Sequence, residues 1–77
     1  MNDFYVGPAL YHSGERTAAG DLIPRAALIL GRPPELTHHV VLWWDPSDPN
    51  PRITVAPESD TPVADTWHVH RGDWRGM

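Results

Sequence analysis

Residues 37–44 read Thr-His-His-Val-Val-Leu-Trp-Trp and carry the strongest strand signal in the chain. β-Branched and aromatic residues favour extended backbone, and a proline bounds the run on either side. Alternation places Val40 and Leu42 on one face and Val41 and Trp43 on the other. Both faces are therefore rich in apolar side chains, and we expect a central strand that is buried on much of both sides.

The residues that follow predict a hairpin. Residues 45–51 read Asp-Pro-Ser-Asp-Pro-Asn-Pro, with turn-forming residues at nearly every position. Residues 52–56 then alternate, with Ile53 and Val55 together on one face, which is typical of a half-buried strand. We expect strand 37–44 to pair with strand 52–56 around this loop.

Weaker strand signals occur over residues 4–6, 9–11, 22–23, 26–30 and 66–70. The first two are expected at the edge of a sheet, because Gly and Pro at positions 7 and 8 interrupt them. In the last one, alternation turns Trp67 and Val69 inward and His68 and His70 outward. Residues 14–21 favour one helical turn at most.

Nine prolines punctuate the chain, and proline breaks helix interiors because it lacks an N–H and clashes with the preceding turn. The sequence therefore predicts an all-β domain over residues 1–77, with little or no helix. We expect a small antiparallel sandwich or partly open barrel of four to six short strands with proline-rich loops. Residues 71–77 are predicted to be a C-terminal tail.

The small size of the chain raises a question of stability. A domain of 77 residues buries only about 60% of the surface that its unfolded chain exposes. The chain has no cysteine, so neither disulfides nor thiolate metal sites can stabilise it. Metal binding through histidine, self-association or a protein partner is left to supply the missing stability.

Charge and composition restrict the partner. The net charge is −4, and six scattered arginines form no basic patch, which argues against nucleic acid. Arginine without lysine is typical of GC-rich genomes, such as those of actinobacteria and their phages. There is no apolar run long enough to span a membrane and no signal peptide at the N-terminus, so we expect synthesis in the cytoplasm and no membrane partner.

The histidines suggest a metal site. His68 and His70 lie two apart on a predicted strand and share one face, so both could bind one zinc or another divalent ion. His38 and His39 point to opposite faces of another strand, so only one of them can join, with His39 the candidate, and His12, Asp45 or Asp65 could complete the set. The alternatives are a solvent-facing polar strand, or a group of histidines that responds to pH near neutrality.

The aromatic residues suggest a partner surface. Four tryptophans are a heavy load for so small a core, and tryptophan is enriched at binding hot spots. Trp43 and Trp44 are adjacent on one strand and must face opposite sides, so one of them is expected to contact a partner. Trp74, with Arg71 close by in the tail, is the other predicted partner contact.

A short resemblance points elsewhere. Residues 10–14 (Leu-Tyr-His-Ser-Gly), followed by Gly-Asp-Leu-Ile-Pro at 20–24, resemble the first strand and loop of rifamycin-type ADP-ribosyltransferases. In place of the glycine and threonine of that family, this chain has Ser13 and Gly14. The resemblance implies that His12 would contact NAD in a reduced form of such an enzyme.

No phosphate-binding loop or nucleophile motif appears in the sequence. We therefore expect a small non-enzymatic protein-interaction module that binds a protein partner or a second copy of itself. A phage or mobile element is the expected source, with a role as a virion decoration or accessory protein or as an effector that binds a host protein. A histidine-based metal- or ligand-binding domain, catalytic or not, and the reduced ADP-ribosyltransferase are the alternatives.

Overall fold

A computed structural model describes residues 4–69, which form five strands and no helix. The strands are β1 (Gly7–Arg16), β2 (Leu22–Ile29), β3 (His39–Trp43), β4 (Arg52–Ala56) and β5 (Thr66–His68). They pair antiparallel in the order β4-β3-β2-β1-β5. The prediction of a small all-β, partly open barrel is confirmed. Within residues 4–69 there is no helix that could cross a membrane.

The chain beyond β4 curls the sheet toward closure. It runs beside β5, where the Trp67 backbone N–H donates to the Pro57 carbonyl at 3.1 Å. The Trp67 carbonyl in turn accepts from the Ser59 N–H at 2.9 Å, which makes a parallel bridge at Glu58. These bonds join the two ends of the sheet on one side and leave a curled half-barrel.

The interior is filled by alternate side chains from every strand. Its buried apolar members are Ala9, Tyr11, Ala27, Ile29, Val41, Trp43, Ala56 and Trp67. The three alanines leave room for the two indole rings. Trp67 is fully buried, and its ring stacks on Tyr5 at 6.0 Å and meets the edge of His39 at 4.9 Å. Its indole N–H donates to the Ala56 carbonyl at 3.0 Å, so the one polar atom of the ring is satisfied.

The predicted hairpin is confirmed, because β3 pairs with β4 along its whole length. The apolar pair of β4, however, faces outward rather than into the core. Thr54 lies opposite the buried Val41, and residues directly opposite in a sheet share a face. The inner face of β4 is therefore that of Thr54, and Ile53 and Val55 are 69% and 43% exposed.

The N-terminal prediction was right for residues 9–11, which lie in β1, but wrong for residues 4–6 and for the position of the strand in the sheet. Residues 4–6 are not a strand, and β1 begins at Gly7, includes Pro8 and ends at Arg16. It is also not an edge strand, since β2 and β5 pair with it on its two sides. The predicted turn over residues 14–21 shrinks to a tight connection between β1 and β2, with Gly20 at φ +93°.

Two prolines sit inside these strands without breaking a ladder. The Leu30 N–H donates to the Val40 carbonyl, so even-numbered residues of β2 direct their backbone groups toward β3. Pro24 shares this phase but lies beyond the end of the β2–β3 pairing. Pro8, by the same alternation, faces the β5 side ahead of the first β1–β5 pair, Leu10 with His68. Neither proline lacks an N–H that its paired strand requires.

We expect Trp67→Phe to lower the free energy of unfolding by about 3 kcal/mol. The change removes ring volume from the core and also the indole hydrogen bond to the Ala56 carbonyl. Urea unfolding followed by circular dichroism measures the loss. Trp44→Phe is the matched control, because Trp44 is only half-buried, and it should cost less than about 1 kcal/mol. Equal losses in the two variants would contradict this role for Trp67.

Candidate functional site

The side of the sheet that faces away from the core carries two rows of aliphatic side chains. Cross-strand pairing aligns Leu28, Leu42 and Ile53 in the first row. The second row consists of Leu30, Val40 and Val55. It lies next to the first row, because each of its members is two residues away from a member of the first row on the same strand. We call these six residues the outer face. The rows cross three adjacent strands, so the outer face is one continuous apolar surface.

The outer face is open to solvent. Leu28 is 38% exposed and Leu30 50%, and Ile53 and Val55 on β4 are also exposed. Val40 and Leu42 are half-buried between them. Single exposed aliphatic residues are ordinary on protein surfaces, but a contiguous apolar patch marks a contact site.

The charged groups of the described residues are unequal in number and in pairing. Every arginine in the described part of the chain has a partner: Arg25 pairs with Glu15 at 3.0 Å, and Arg52 lies near Asp45 and Asp48. Arg16 and Arg32 donate to backbone carbonyls. Among the carboxylates of residues 4–69, those of Asp21, Glu35 and Asp60 form no ion pair, and that of Asp65 accepts the Tyr11 hydroxyl instead of pairing with an arginine. Residues 4–69 carry eight carboxylates and four arginines, so their net charge is negative.

The adjacent tryptophans divide between the two sides of the sheet, as alternation requires. Trp43 is 8% exposed and lies inside, with its ring 5.1 Å from that of Tyr11 and the Arg52 guanidinium 5.5 Å above it. Trp44 is half-buried, and its N–H donates to the Ala26 carbonyl at 3.1 Å. Trp44 therefore borders the outer face, and a partner would reach it before Trp43. Trp74 and Arg71 lie outside the described residues.

The predicted metal ligands are not brought together by the fold. His39 points inward against Trp67, whereas His68 lies on the outer side of β5, so the sheet separates them. His70 lies outside the described residues. The neighbour of His68 is instead His12, whose ring lies 5.2 Å away and nearly parallel. No group of three potential metal ligands occurs within residues 4–69.

The two carboxylates considered as further ligands are held elsewhere. Asp45 accepts hydrogen bonds from the N–H and hydroxyl of Ser47, which lower the pKa of its carboxyl. Asp65 accepts the hydroxyl hydrogen of Tyr11 at 2.5 Å. Burial, followed by this bond to Asp65, raises the pKa of Tyr11, so the phenol stays protonated.

His12 is unusual among the histidines of the described residues. It is 4% exposed, and its Nδ1 is buried without a hydrogen-bond partner. Burial, and after it the nearby His68, lowers the pKa of His12 below 6.5. The imidazole is therefore held neutral in the folded protein near pH 7.

The implied NAD contact also falls on His12. A nicotinamide nucleotide needs an open cleft beside the contacting side chain, and His12 is covered by its neighbours. Residues 4–69 form no pocket in which a ligand of that size could be enclosed. The structure thus places His12 in a packed pair of rings between β1 and β5.

Sequence reasoning missed the outer face. A signal was present, because residues 26–30 are apolar at every position. Successive side chains of a strand point to opposite faces, so about half of these apolar side chains must point away from a core on one side of the sheet. Ile53 and Val55 were the second signal, but their exposure depends on the register with β3. The sequence alone does not give that register.

No protein family, curated protein or solved structure matches this chain in comparisons with known proteins.

We expect the stability of the domain to fall in mild acid because of His12. Its pKa is lower in the folded chain than in the unfolded chain, so the unfolded chain binds a proton that the folded one excludes. The stability contributed by neutral His12 is complete above pH 6.5 and is lost as the pH falls through the lowered pKa. Thermal unfolding between pH 8 and pH 5 measures the decline.

His12→Phe should flatten this decline, since phenylalanine keeps a ring in place and cannot take up a proton. The matched control is His38→Phe, because His38 is exposed and no neighbour in the described chain covers it. An equally steep decline in wild type and His12→Phe would show that another group governs the acid response.

Proposed function

We propose that this domain is a non-enzymatic protein-interaction module that binds a partner protein through the outer face. The observation that carries the proposal is the continuity of its two aliphatic rows across β2, β3 and β4. Trp44 borders these rows and supplies the large, partly polar ring that is common at binding hot spots.

Energetic reasoning supports an occupant on this face. Burial of apolar surface contributes roughly 25 cal/mol per Å² removed from water. A chain of this length has a small core, and the outer face leaves several of its few large aliphatic residues exposed. A partner that covers them would add stability that the isolated domain lacks.

The charge indicates the kind of partner. The chain carries −4, and within residues 4–69 carboxylates without an ion pair lie in loops, while each arginine there has a hydrogen-bond or ion-pair partner. An apolar surface bordered by Arg or Lys would complement this pattern, and electrostatic complementarity raises association rates. Two copies stacked face to face would instead bring like charges together.

The biological setting that we propose follows from composition. Arginine without lysine fits a GC-rich genome, such as that of an actinobacterium or one of its phages. A virion decoration or accessory protein and an effector that binds a host protein both require a small domain with one contact surface.

The experiment compares wild type with Leu28→Glu/Leu30→Glu, which places charge in the middle of the outer face on exposed positions. Immobilised wild type captures its partner from the lysate of the source organism, and the partner is then purified. We expect titration calorimetry to show affinity for the variant reduced by at least about 100-fold, since two buried charges without counter-ions oppose docking.

Val63→Glu is the matched control, because Val63 is 48% exposed but lies in the loop before β5. It should bind like wild type. Amide chemical-shift changes on partner binding should centre on the outer face. Unchanged affinity of the double variant, or shift changes confined to other parts of the domain, would falsify the proposal.

A further inference from the structure

The outer edge of β4 has unused backbone groups. The Val40 N–H and carbonyl both bond to the β2 side, so His39, Val41 and Trp43 direct theirs toward β4. Their partners Arg52, Thr54 and Ala56 therefore use their backbone groups on β3. Ile53 and Val55 are left facing the open edge, and within residues 4–69 no backbone bond joins them to another segment.

Prolines bound this open edge at both ends. Pro51 and Pro57 are two residues away from Ile53 and Val55, so their backbone groups also point away from β3. The N–H that each proline lacks would have pointed toward the open edge. The Pro57 carbonyl is already occupied by the N–H of Trp67. The open edge is thus a short segment with donors and acceptors at two residues only.

We propose that β4 pairs antiparallel with β4 of a second copy of this chain, about a two-fold axis at Thr54. In this register Ile53 faces Val55 of the other copy, and both hydrogen-bonded pairs are complete. An axis at Ile53 would set Val55 against Pro51, and an axis at Val55 would set Ile53 against Pro57. Each alternative loses donors, so the prolines select a single register.

The side chains agree with this register. Ile53 and Val55 meet across the junction on the outer side, and aliphatic cross-strand pairs stabilise a sheet. Thr54 faces Thr54 on the inner side, and Arg52 faces Ala56, so no like charges lie directly opposite. The exposure of Ile53, 69%, leaves it accessible to a second strand. The two-fold arrangement occupies the open β4 edge of each copy, so no β4 edge remains to bind a third copy.

This pairing would also extend the surface that we propose as the docking site. The first row of one copy would continue through Ile53 into Val55 and Val40 of the other, since these residues are already aligned within each copy. A dimer would therefore present two outer faces side by side to one partner. The pairing itself does not depend on the partner, because it uses only the open edge.

The experiment is sedimentation equilibrium of the full chain between about 10 μM and about 1 mM. We expect the weight-average mass to rise with concentration toward that of two chains. Added salt should tighten the association, because it screens the repulsion between two copies of charge −4.

Val55→Pro tests the role of the edge. It removes the N–H that faces the edge and leaves the bonds to β3 intact, so we expect the dimer to weaken by at least about tenfold. Val55→Thr keeps the N–H and the branched shape and should dimerise like wild type. Leu28→Glu/Leu30→Glu should also dimerise, which separates failure of this pairing from failure of partner binding at the outer face.

A single thiol tests the register. Thr54→Cys places two sulfur-bearing residues opposite each other in a non-hydrogen-bonded pair, about 4.5 Å apart at Cα, a distance that a disulfide spans. Mild oxidation should yield a covalent dimer, whereas Arg52→Cys should not, because residue 52 faces residue 56 of the other copy. A wild-type chain that stays monomeric to about 1 mM, or equal dimerisation of Val55→Pro, overturns the proposal and leaves the edge to a strand of another protein.

Discussion

The side chain and the backbone of Trp67 together join β5 to the chain at the end of β4, which curls the sheet into a half-barrel. The indole fills the interior between Tyr5 and His39 and donates to Ala56 at the end of β4. The backbone of the same residue bonds to residues 57 and 59 on one side, while β5 pairs with β1 on the other. One residue therefore connects the last strand to the chain that leaves β4. Without these contacts, the inner side of the sheet would lose the residue that covers it between β4 and β5.

Closure around Trp67 decides which residues are inside, and by exclusion it creates the outer face. A strand has two sides, and this chain has too few residues to cover both sides of β2, β3 and β4. The interior takes Val41, Trp43 and their neighbours, and the aliphatic residues between them remain in solvent. The exposed surface that we propose as a contact site and the compact core are thus two consequences of one arrangement of strands.

Four of the prolines share one property, which is the direction in which their backbone nitrogen points. Pro8, Pro24, Pro51 and Pro57 all occupy positions where an N–H would point away from the strand that pairs with them. Each proline therefore costs the sheet no bond, yet each limits how far a neighbouring strand can extend. The same rule permits a proline at the second position of β1 and confines the open edge of β4 to Ile53 and Val55.

The sequence by itself determined the all-β class, the hairpin of β3 with β4, and the alternation that buries Trp67 and separates Trp43 from Trp44. These are local properties, because strand propensity, period-two alternation and proline-rich turns act over a few neighbouring residues. Only the tertiary structure decided that β1 is an inner strand, that His12 rather than His39 lies beside His68, and that Ile53 and Val55 face solvent. Each of these depends on the register between strands distant in sequence, and a shift of one residue exchanges the two faces of a strand.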